Sequence, residues 1–203
     1  MMITEKADSY NNISYRTIID PISYPVTIDE IKSFARIDGN DQDALLEIFL
    51  QGVIEDIETY LGRALVERTI QMTMDFWNSN EVELKKPPLI SVISVSTVND
   101  SDVETVYDSN NYYVITESIP GKLIIKNGIE LPSNFDRSFS GFRITYTAGY
   151  GDVSKVPSKI KVAIMQWVTM IYEGRSMTKN DISYNEPPPE VKRILSNFRI
   201  LRI

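Results

Sequence analysis

Asp41-Gln-Asp-Ala-Leu-Leu-Glu-Ile-Phe-Leu-Gln-Gly-Val-Ile-Glu-Asp-Ile-Glu-Thr-Tyr-Leu-Gly-Arg63 is the stretch whose reading decides the fold. Leu46, Phe49, Leu50, Val53, Ile54, Ile57, Tyr60 and Leu61 recur at steps of three and four, which places them on one broad stripe of an α-helix. Asn40 or Asp41 can cap its start, and Asp41, Asp43 and Glu47 suit the positive end of the helix dipole. Gly62 can take the left-handed conformation that ends it. About 20 helical residues at 1.5 Å each make a rod of roughly 30 Å. So wide a stripe on so long a rod needs partners on more than one side, and these should be the other helices.

Working outward towards the N-terminus, Thr27 and Glu30 have the spacing of a capping box. Ile28, Ile31, Phe34 and Ala35 give a short apolar face behind it, closed by Asp38-Gly39-Asn40. Residues 1–24 are polar and without period, and read as an arm ordered only against something else. Towards the C-terminus the period changes to two. Residues 68–76 alternate, as a half-buried strand requires. Shorter runs follow at 82–84, 90–98, 104–107, 112–116, 122–126 and 141–147, joined by Asn, Asp, Gly and Pro. Val156-Pro157-Ser158 opens another helix, whose face is Ile160, Ala163, Ile164, Trp167, Val168 and Ile171. A polar, proline-rich linker to Pro189 precedes a short helix carrying Val191, Ile194, Leu195 and Phe198.

The reading is an α+β fold: a helical platform interrupted by an antiparallel β insertion. Two N-terminal helices plus one long and one short C-terminal helix make the platform. It divides the chain into an arm at 1–24, platform segments at 25–67 and 155–174, the insertion at 68–154, and a linker with C-terminal tail at 175–203. The helices on either side of the insertion must meet for the platform to close.

The chain has no cysteine and no histidine, which excludes disulfides, thiolate nucleophiles, Cys/His zinc sites and histidine general bases. The net charge of −7 is uneven: residues 1–100 hold 8 basic and 17 acidic side chains, residues 101–203 hold 13 and 11. An acidic body does not grip a phosphate backbone tightly. The end of the chain is different, with Lys192, Arg193, Arg199 and Arg202 and no acid from Val191 onward. A basic, apolar tail on an acidic body fits either docking to an acidic protein surface or simple solvation. No signal peptide or membrane-spanning run is visible, so the chain reads as soluble and intracellular.

Gly149-Tyr150-Gly151 before a helix lacks the remaining residues of a phosphate-binding loop and reads as a turn. Glu55 and Glu58, with Asp56 between them, stand one helical turn apart and could share a cation or act as an acid–base pair. Solvated surface carboxylates are the commoner outcome for such a face. Tyr107, Tyr112 and Tyr113 could stack nucleobases, but packing across strands is preferred where no basic groove surrounds them. Lys155, Lys159 and Lys161 read as solvated, and Trp77 and Trp167 as core or interface anchors. No catalytic, cofactor or metal residue is assigned.

Three landmarks then become familiar. Pro25-Val-Thr-Ile-Asp-Glu-Ile-Lys32 leads to Arg36-Ile-Asp38, Asp41-Gln-Asp-Ala-Leu-Leu46 and Tyr60-Leu-Gly62-Arg63-Ala-Leu65. Pro87-Pro88-Leu-Ile-Ser-Val92 is the second. Tyr146-Thr-Ala148-Gly149-Tyr150-Gly151 with Val156-Pro157 and the helix to Tyr172-Glu173 is the third. Together, over residues 25–175, they resemble the head–tail connector (adaptor) proteins of tailed bacteriophages. The resemblance implies a structural, non-enzymatic virion protein of a phage, prophage or gene transfer agent, assembled in the bacterial cytoplasm. It implies a dodecameric ring in the neck below the portal, joined to a stopper or tail terminator, with no membrane partner. Double-stranded DNA would pass transiently through the lumen. It also implies that the C-terminal segment reaches the portal, here through Val191, Lys192, Arg193, Ile194, Leu195, Phe198, Arg199, Leu201 and Arg202; on that hypothesis, deleting Val191 to Ile203 should abolish portal binding and leave the fold intact. The other reading is a nucleic-acid- or carbohydrate-binding module built on the β insertion.

Overall fold

Side-chain periodicity translates into two packed bodies. The computed structural model describes residues 12–134, 137–174 and 186–200. Among the described residues there are four α-helices: α1 (Ile28–Ala35), α2 (Asp43–Leu61), α3 (Ser158–Gly174) and α4 (Pro189–Leu195), the last continued by a 3-10 turn, Ser196–Phe198. Eight strands accompany them: β1 (Ile13–Ile19), β2 (Arg68–Met74), β3 (Glu81–Leu84), β4 (Leu89–Val98), β5 (Glu104–Val106), β6 (Tyr112–Ile115), β7 (Gly121–Ile125) and β8 (Phe142–Ala148). The class is α+β, as the patterning requires.

The helical body closes as expected, because α2 and α3 turn their apolar stripes on each other. Leu46, Leu50, Val53, Ile57 and Leu61 of α2 share one core with Ile160, Ile164, Trp167 and Val168 of α3. At the start of α1 both halves of the capping box form: Thr27 Oγ1 accepts from the Glu30 amide and Glu30 Oε2 from the Thr27 amide. The start of α2 corrects the expected cap. Gln42 occupies the cap position, and its side chain does not cap. Asn40 Oδ1 instead accepts from Lys32 Nζ at 2.8 Å, and Lys32 also pairs with Asp43 at 3.0 Å. The cation reaching over from α1 claims the oxygen that would have capped α2.

Strand order is β1-β2-β8-β4-β5 in the larger sheet and β3-β7-β6 in the smaller, with antiparallel pairing throughout. Alternation sends Ile70, Met72, Met74, Phe142, Ile144 and Tyr146 to the face that meets Val82, Leu84, Leu123 and Ile125 of the smaller sheet. Gly121 lets the sheets approach closely: a Cβ there would lie 2.4 Å from the Leu89 Cβ. Trp77 belongs to this second core and Trp167 to the helical one.

Residues 1–24 read as an arm ordered only against something else, and where the chain is described that something is its own sheet. Ile13–Ile19 is a strand, paired with β2 from Ile13↔Met74 to Ile19↔Thr69. The period is hard to read because β1 is an edge strand, exposed or half-buried all along, and the short alternation Ile13-Ser14-Tyr15-Arg16 breaks off at Thr17, where the register shifts. The larger sheet therefore draws on chain from before the helices as well as after them, and is not purely an insertion.

Candidate functional site

The landmarks at 62–65, 87–88 and 148–151 are far apart in the chain and meet at one place, the seam between the two bodies. Gly62 ends α2 with φ +67°, and the Arg63 amide returns to Glu58 O, which closes the last turn. The chain leaving the helix is then tied to both other segments. Ala64 N–H donates to Pro87 O at 3.2 Å, Gly149 N–H to Pro88 O at 2.8 Å, and Tyr150 N–H to Leu65 O at 3.3 Å. Glu67 N–H donates to Gly151 O, again at 3.3 Å. Tyr146 Oη reaches Lys85 O at 2.8 Å. Each bond joins segments that a local reading treats as separate turns. Pro157, the remaining landmark, opens α3 by accepting from Ile160 N–H at 2.9 Å.

Glycine is required at position 149. Its φ is +124°, and a Cβ would stand 2.6 Å from Val66 O and 2.8 Å from Glu67 N, both backbone atoms with nowhere to go. Gly149→Ala is expected to cost at least about 3 kcal/mol through strain and clash together. For a chain of this size that is roughly 6–12 °C in melting temperature, measured by circular dichroism.

Beneath these bonds lies a buried ion pair. Glu58 Oε1 accepts from the Leu65 amide at 2.8 Å and from Arg68 Nη2. The side chains of Glu58 and Arg68 are only 8% and 11% exposed. This corrects the placement of Glu58 on the solvated face. Glu58 follows Ile54 by four residues and precedes Leu61 by three, so it sits on the buried stripe itself. That position was the available signal. Glu55 stays exposed, so the two carboxylates diverge and do not form an acid–base or cation-sharing pair. Among the described residues no group of three or more acids is placed to hold a metal ion.

The C-terminal segment completes the seam from the other side. Val191 and Leu195 are fully buried in the helical core, and Ile194 and Phe198 pack against it. Arg63 Nε donates to Phe198 O at 2.6 Å, and Ile200 N–H to Leu61 O at 3.1 Å. Arg199 lies 4.7 Å over the Tyr60 ring. The short C-terminal helix thus belongs to the platform, as the fold reading has it, and the expectation that the tail can be deleted without harm to the fold is corrected. Its apolar letters were read as a docking face, but they face the chain's own α3 side of the core. What remains outward are Arg193 and Arg199, with Lys192 half-buried and paired with Glu186. Leu201 and Arg202 lie outside the described residues.

The tyrosines do not form one platform. Tyr107 and Tyr112 stack at 6.4 Å with Tyr112 buried, whereas Tyr113 alternates to the opposite face beneath Lys126.

A model of the head completion protein family matches residues 26–201. The chain belongs to that family. The resemblance to phage head–tail connector proteins therefore stands, and the match extends past residue 175 through α4, in keeping with the place of α4 in the core. Solved structures share the fold. A chain from the neck of an empty gene transfer agent (GTA) particle, computed with C6 symmetry, superposes with a TM-score of 0.78. It is 20% identical, over 94% of this chain and 97% of that one. A chain from the virion of a native gene transfer agent particle gives 0.76 at 20% identity, over 93% and 96%. One from the neck of a native GTA particle with C12 symmetry gives 0.68 at 18%, over 92% and 97%. No curated protein sequence matches the chain.

Proposed function

We propose that the chain is a structural connector of the virion neck, forming a ring between the portal and a stopper or tail terminator, with a lumen through which double-stranded DNA passes. The family match over residues 26–201 carries this reading. The seam supports it physically. A neck component transmits load between the parts above and below it, and here two separate cores are locked by backbone bonds at four crossing points. The acidic balance of −7 suits passage, since like charge lets a duplex slide where a basic surface would hold it. No catalytic chemistry is part of the role.

Portal docking by the C-terminal segment is retained with a smaller set of residues, the outward cations Arg193 and Arg199 beside Lys192. Deletion cannot test it, because α4 holds the core. Arg193→Glu with Arg199→Glu leaves Val191 and Leu195 in place, and is expected to weaken capture by the portal by about tenfold or more. Pull-down with the portal protein reads this directly. Unchanged capture by a folded double variant would remove the tail from the docking surface.

A further inference from the structure

The larger sheet has two open edges, and they match. At one end, β1 has no strand beyond it among the described residues. At the other, β5 covers only Ser96–Val98 of β4, and one further bond from Tyr107 N–H ends at Val95 O. Ser91–Ser94 of β4 is left without a partner on that side among the described residues. Such edges are ordinarily blunted by charge. Here the stretch Ile90–Ser94 has none, and β1 has only Arg16. Ile18 and Ile19 on one edge and Ile90 and Ile93 on the other are all exposed.

Register makes the two edges complementary. Ile19 pairs with Thr69, Thr69 with Thr147, and Thr147 with Ser91, so Ile19 and Ser91 stand on one row of the sheet. Through Met72 and Ile144, Tyr15 stands likewise on the row of Val95. The open part of β4 therefore lies level with Arg16–Ile19 of β1, while β5 blocks the levels of Ile13 and Ser14 and the Tyr107 bond to Val95 takes that of Tyr15. Direction matches too. Three successive antiparallel pairings make β1 antiparallel to β4. Rotation about an axis running along the strands changes neither direction nor height. A second copy so rotated presents its β1 antiparallel to, and level with, the open stretch of β4. That is the condition for a head-to-tail contact that closes into a ring.

We infer that the occupant of the open β4 edge is β1 of the next copy of this chain, so that the larger sheet continues from subunit to subunit and buries Ile18 and Ile19 beside Ile90 and Ile93. This rests on the ring reading and specifies its contact.

The test uses particles carrying the full chain with Ile19→Cys and Ser91→Cys, on a background that has no cysteine. Within one copy these positions are three strand spacings apart, about 14 Å, beyond the reach of a disulfide. Opposed on adjacent strands of two copies, they fall within it. Mild oxidation should give a ladder of dimers and higher multimers on a non-reducing gel, with none from either single variant. Hydrogen exchange on the unmodified chain is the companion measurement: the Ser91–Ser94 amides should be protected at least tenfold in particles relative to the free protein. A chain that is present in particles but gives no ladder and no protection overturns the strand contact and leaves the ring. A chain absent from particles overturns the ring reading, and the contact with it.

Discussion

Cutting the chain before Pro188 is expected to destabilise the whole helical body by on the order of 5 kcal/mol, a large share of the stability of an ordinary domain. Val191 and Leu195 are fully buried in the core they share with α2 and α3, and large buried side chains cost about 2–5 kcal/mol each when removed. The cut also orphans Leu61 O, which accepts from Ile200, and takes away the carbonyl that holds the Arg63 side chain. Denaturant titration followed by circular dichroism should show an earlier midpoint or no cooperative transition. A truncated chain that unfolds like the full one would mean that α4 is an appendage after all.

Glu58→Ala is the second large effect, at about 3–5 kcal/mol, because removal of one member of a buried pair leaves the other charge uncompensated. Arg68 would keep its guanidinium in the seam with no carboxylate, and the Leu65 amide would lose its acceptor. The pair also gives stability a pH dependence. Burial pushes the Glu58 carboxyl above its ordinary value of 4.5, against the opposing pull of Arg68, the Leu65 amide and Lys86. Between the ordinary value and the raised one, the folded chain holds a proton that the unfolded chain has released. Stability therefore falls as pH rises through that window, and this contribution is level on either side of it. Glu58→Gln, which preserves an acceptor for Leu65, should flatten that slope when melting temperature is followed against pH. A slope identical to that of the unmodified chain would place the titrating group elsewhere.

What could be read from letters alone follows from how local each cause is. The stripe on α2, its glycine stop and the Thr27–Glu30 box are set by residues within one or two turns of each other, and all three appear as expected. The alternation of β2 and β8 is legible because each has one face wholly in a core. β1 escaped because its structure is imposed by β2, some fifty residues onward, and leaves no buried face of its own. Glu58 escaped because a charged letter on an apolar stripe looks like the edge of the stripe until its partner is known. The turn motifs were recognised as turns, but their convergence depends on backbone bonds such as Gly149 to Pro88, which no side-chain pattern encodes. α4 was legible as a platform helix, but its apolar face was also assigned to docking, because the polar segment before it hides the fact that this face is used up in the core shared with α3.

The central claim is that this chain is a ring-forming part of a neck. Cryo-microscopy of the particle that its genome encodes tests it most directly, with the map around the portal built without imposed identity. The account predicts a closed ring of copies directly below the portal, with the seam at Gly149 intact in each copy and α4 packed on its own α3. A neck assembled entirely from other chains, with this one absent or scattered elsewhere in the particle, would contradict it.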